Sequence, residues 1–155
     1  MRLSSFSNSI EEWVEARLFE EFLQTQTVLT RQSLAVEFDQ KITIPEYVGG
    51  LSDLTGEIGR IAVLYGTSRD LNALTPVHRF CDAISRGLNE ITLGTGKFFQ
   101  KSNTARQNTS KIEGLIYELT MNMKSERGIH RPLEALEGNN SREERGVERN
   151  DDEEI

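Results

Sequence analysis

Cysteine, histidine and proline are almost missing from this chain, and each scarcity removes a class of function. One cysteine, Cys81, excludes an internal disulfide and fits a reducing compartment. The two histidines, His78 and His130, stand far apart, which argues against the clustered nitrogen and sulfur ligands of a zinc site. No apolar run approaches the ~20 residues of a membrane-spanning helix, so no membrane partner is expected. The opening residues, MRLSSFSNS, have neither the apolar core nor the cleavage pattern of a secretory signal. LGTG at residues 93–96 is too short and ungapped for a phosphate-binding loop and reads as a helix stop. A soluble, intracellular protein is what remains. Its 155 residues suggest one domain.

Charge is unevenly spread. The net charge is −7, yet residues 129–155 hold nine acids against four bases, so that segment alone carries −5. With few apolar residues and dense charge, this segment is expected to be a disordered tail beyond a helical domain of residues 1–128. The body is then almost neutral, and its acidity says little about partners.

Apolar periodicity predicts an all-α antiparallel bundle with four main helices. The first covers about residues 10–27, capped by Ser7, Asn8 or Ser9. Its wheel sends Arg17, Glu20, Glu21 and Gln24 to solvent and Phe19, Phe22 and Leu23 to the core, with Glu12 and Glu15 on the inner side. After an irregular stretch, in which Thr30 can cap a short helix through Leu34, residues 45–65 form the second. Pro45 stands at its first position, and Val48, Leu51, Leu54, Ile58, Ile61, Ala62 and Tyr65 wrap most of its circumference. Four glycines interrupt this helix, each unfavourable by about 1 kcal/mol relative to alanine, so another helix or a ligand should approach closely there. The third helix opens with Thr75 as cap and Pro76 at its first position. The fourth covers about residues 97–127.

Four carboxylates carry the chemistry. Glu12 and Glu15 are three apart on the first helix; Asp53 and Glu57 are four apart on the second. Both spacings put side chains on one helical face, and paired acids on facing helices build divalent-metal sites in bundle cores. Hard cations such as Mg²⁺ take such oxygen ligands and keep waters that can become nucleophiles. The same spacing admits a plainer arrangement: Asp53 or Glu57 pairs with Arg60 or with a lysine from another helix, and Glu12 and Glu15 reach solvent. On the fourth helix the half from Lys97 through Lys101 and Arg106 to Lys111 is basic, and reads either as a phosphate-contacting surface or as a solvated face. Cys81 lies on an apolar stripe and reads as core.

The segments EEWVEA and TVLT, then PEYVGGLSDLTGEIGRIAV, then SKIEGLIYEL resemble the translin family, and the DLTGE core is similar to its translin-associated factor X branch. The likeness covers about residues 10–128, and its most specific part is the P-x-Y-x-x-G-x-x-D-L-T-G-E stretch. It implies a translin-like bundle, with the family's N-terminal helices missing from this chain. It also implies the catalytic subunit of a Mg²⁺-dependent endoribonuclease, working with a translin-like subunit on single-stranded RNA such as small-RNA passenger strands and tRNA-derived fragments, in cytoplasm and nucleus. Single-stranded DNA is a further implied ligand. The family's ExxE and DxxxE metal-binding acids fall here on Glu12 with Glu15 and Asp53 with Glu57. Arg60, Lys97, Lys101, Arg106 and Lys111 are the candidate nucleic-acid contacts. The alternative is a non-catalytic subunit that stabilises a translin-like partner and binds nucleic acid through the basic half-helix.

Overall fold

A computed structural model of the chain describes residues 4–96 and 98–129. The described residues form an all-helical bundle of five helices, α1 (Ser4–Thr25), α2 (Arg31–Glu37), α3 (Ile44–Thr67), α4 (Leu71–Thr95) and α5 (Phe99–Ile129). The expectation of four helices is therefore corrected. The added one, α2, is fixed by Thr30, whose hydroxyl accepts the N–H of Ser33 at 3.1 Å, and it continues past Leu34 to Glu37. The chain divides into two units, residues 1–121 and residues 122–155, and the described part of the second is the last stretch of α5. The tail predicted for residues 129–155 lies outside the described residues, apart from Ile129 at the end of α5.

Within the first unit, α3 is the central element, with α1 and α4 packed along it. It starts one residue before Pro45 because Thr43 and Glu46 form a reciprocal capping box. The Thr43 N–H donates to Glu46 Oε2 at 2.7 Å, and Ser7 Oγ donates to Glu46 Oε1 at 3.1 Å. Glu46 is only 1% exposed, so those bonds are what keep a buried carboxylate tolerable.

Leu54, Ile58 and Ala62 of α3 are buried with Ile10, Val14, Leu18 and Phe22 of α1, Leu34 of α2, Ile42, Leu74, Val77 and Cys81 of α4, and Ile112 of α5. The α1 row is an i, i+4 series, and it rotates the helix away from its expected setting. Leu23 is exposed and so is Glu12, while Ile10 and Val14 take the inner places. Two of the five α3 glycines explain themselves here. A Cβ on Gly50 would overlap Val14 and lie 3.1 Å from the backbone nitrogen of Glu15, and one on Gly49 would overlap the Glu11 carboxylate. The missing side chains let α1 lie close on α3.

The α4 helix begins four residues ahead of Thr75. Asp70 is its N-cap, accepting the N–H of Ala73 at 2.9 Å, and Thr75 instead donates its hydroxyl to the carbonyl of Leu71. Pro76 is tolerated inside the helix because the carbonyl it leaves without a donor belongs to Asn72, an exposed residue that water can reach. The other end follows expectation: Gly96 adopts the left-handed conformation at φ 64° and its N–H reaches the carbonyl of Thr92. None of the described helices is long and apolar enough to cross a membrane.

Candidate cation-binding and nucleic-acid surface

The α5 helix is fastened to α3 by polar bonds at two levels. Ser52 Oγ donates to the carbonyl of Lys101 at 2.9 Å, and Asn108 Nδ2 donates to Thr55 Oγ1 at 3.0 Å. Ser52 and Thr55 are buried, and with the Thr55 hydroxyl also donating to the Ser52 carbonyl at 2.6 Å both side chains are satisfied away from water. Their effect is to set Lys101 beside Asp53, the residue after Ser52.

Lys101 takes up much of the acidic surface. Its Nζ stands 3.0 Å from Asp53 Oδ2, 3.3 Å from Asp53 Oδ1 and 3.1 Å from Glu11 Oε2. Burial acts to lower the pKa of this ammonium, but hydrogen bonds to Asp53 and Glu11, and their charges, outweigh it and raise the pKa. One turn along α3, the guanidinium of Arg60 lies 2.9 Å from Glu57 Oε1 and 3.1 Å from Oε2. Both DxxxE acids are thus held in ion pairs.

Of the four acids read as a metal site, Glu15, Asp53 and Glu57 are half-buried and Glu12 is exposed. Glu15 does sense the others. Its carboxyl is held above the usual range first by burial, then by the charges of Asp53 and Glu57; Arg60 opposes this, and Glu12 adds a smaller push. The two helices therefore bring their acids near one another. Yet among the described residues no three Asp, Glu, His or Cys side chains stand together as a cation-binding group. The donor set does not fit Mg²⁺ as it is arranged: the oxygens of Asp53 face an ammonium group, and those of Glu57 face a guanidinium group.

The basic candidates separate into several environments. Arg60, with its side chain 78% exposed, and Lys111 line one cleft of about 220 Å³ between α3 and α5, beside Asn108 and over Val63, Ile112 and Leu115. Arg106 is exposed and bonds Asn103 within its own helix. Lys97 lies outside the described residues. His78 is half-buried and lies 3.2 Å from Glu113. Cys81 is fully buried, with burial pushing its thiol up to about 12. Sequence reasoning passed over Glu11, Ser52 and Asn108. Only Glu11 left a signal there, since it directly precedes the ExxE pair and lies one residue after the inward Ile10.

The translin family model matches residues 3–123. The translin-associated protein X homolog of Schizosaccharomyces pombe is 31% identical over 118 residues, covering 74% of this chain and 50% of that protein. The translin-associated protein X of Rattus norvegicus is 24% identical, over 73% of this chain and 48% of its own length. Translin of Gallus gallus is 24% identical over 108 residues, covering 64% of this chain and 47% of that protein. The chain spans about half the length of the curated relatives it matches. With the family pattern running through all five helices, the chain belongs to the translin family.

Proposed function

We propose that the chain is a non-catalytic assembly and nucleic-acid-binding subunit of a translin-like complex. The observation that carries this reading is the ion pairing of Asp53 and Glu57, which leaves no group of three ligands converging among the described residues. The α3–α5 cleft supports the binding half. Arg60 and Lys111 supply positive charge for phosphates, and Val63, Ile112 and Leu115 give apolar surface for a base. Single-stranded RNA is the favoured ligand, with single-stranded DNA sharing the same chemistry. Leu64 on α3, exposed and outside that cleft, is a candidate to pack against a translin-like partner.

A second reading is supported by the mutual influence of Glu15, Asp53 and Glu57 and by the likeness to translin-associated protein X. In it the chain is the catalytic subunit of a Mg²⁺-dependent endoribonuclease, and Lys101 and Arg60 must first release the acids. One experiment separates the two. The chain is co-expressed with a translin-like subunit, and the complex is assayed on labelled single-stranded RNA with Mg²⁺ or with chelator. Binding that weakens at least several-fold in the doubly substituted Arg60→Ala, Lys111→Ala complex, with no Mg²⁺-dependent cleavage, is expected. Cleavage that Asp53→Asn abolishes would establish the second reading instead.

A further inference from the structure

We infer that Lys101 is the resident counter-ion of the acidic surface, and that its ammonium group and a divalent cation exclude one another at Asp53. A lysine ammonium has three N–H donors and no acceptor. Here it faces both oxygens of Asp53 and one of Glu11, at 3.0 to 3.3 Å. A cation bound directly by Asp53 would sit about 2 Å from a carboxylate oxygen, and so next to a like charge.

Two features make this lysine more than a passing surface partner. Its own backbone is pinned, because its carbonyl receives the Ser52 hydroxyl and the following residue, Ser102, is buried. Its second partner is built in as well. Glu11 lies against α3 only because Gly49 has no Cβ to meet its carboxylate. The fold thus holds an ammonium between acids drawn from α1 and α3, where a metal-binding member of such a pattern would hold an ion.

This deepens the reading above and rests on the same placement of Asp53, yet it concerns cation binding by the chain alone rather than cleavage by a complex. The probe is Mn²⁺, titrated calorimetrically into the full chain, with Tm recorded in parallel. The wild type should bind Mn²⁺ no more tightly than Asp53→Asn. Lys101→Met and Lys101→Gln should bind at least tenfold more tightly and gain Tm on Mn²⁺ addition. The doubly substituted K101M/D53N chain should lose that gain. A wild-type chain that binds one Mn²⁺ through Asp53 would overturn the inference, and so would folded Lys101 variants that gain nothing. Should those variants not fold, wild-type Mn²⁺ binding that Asp53→Asn abolishes would still overturn the inference. Cation binding by the wild-type chain without cleavage by the complex would defeat this inference alone; the converse would defeat only the proposed function.

Discussion

Glu15 is strained electrostatically in the folded chain. Its pKa is raised from 4.5 by burial and by neighbouring acids, so folding disfavours its charged form. A carboxyl with a raised folded pKa contributes stability below its unfolded pKa and loses it as pH climbs through the folded value. Glu15→Gln should therefore stabilise the chain at neutral pH, with the gain vanishing below about pH 4.5, the unperturbed value. Urea unfolding at pH 4 and pH 7 would measure it. Gly50 gives a second residue-scale contrast. Alanine there must displace Val14 and press on the α1 backbone, whereas at Gly114, on the exposed side of α5, an added Cβ meets nothing within 4 Å. Overpacking typically destabilises by about 1–3 kcal/mol, while an exposed helical Gly→Ala change stabilises by up to about 1 kcal/mol. Gly50→Ala and Gly114→Ala should thus have opposite signs in the same denaturation assay.

At the scale of the element, α3 depends on its first turn. Glu46→Ala removes the acceptor for both the Thr43 N–H and the Ser7 hydroxyl from a fully buried place. A loss of about 1–3 kcal/mol is expected, against about 1 kcal/mol for Thr43→Ala, which removes only the cap oxygen. Thermal unfolding of the two variants would rank them. This box also marks where the sequence could have been read further, since a Thr with Glu three residues on is a local signature. Local signals served well elsewhere: Gly96 ends α4 because a left-handed residue is needed there, and Cys81 falls on the buried stripe of its helix. The orientation of α1 was less legible. Phe19, Phe22 and Leu23 suggested one inner face, but the row from Ile10 to Phe22 decides it, turning Glu12 out and bringing Glu11 to Lys101. That last pair is separated by 90 positions, and no spacing within a helix can disclose it.

For the whole molecule, the apolar side chains left outside the core set the expectation. Leu23, Val63, Leu64 and Tyr117 are each more than half exposed, on three different helices. Such positions are tolerated singly but favour association when they gather. The isolated chain should self-associate at micromolar concentration in sedimentation velocity, and a translin-like subunit should replace that association with a defined hetero-oligomer. A cooperatively folding monomer would contradict this. One buried side chain offers a clock for such motions. Cys81 is the sole thiol, fully enclosed, with its ionisation pushed up to about 12. Only thiolate reacts with alkylating reagents, and burial leaves this thiol far less ionised at pH 8 than a free cysteine. Labelling of the native chain thus proceeds almost wholly through moments when α4 lifts from its neighbours. Its rate, followed by mass, reads how often the bundle opens, and a partner that clamps the helices would slow that single reaction.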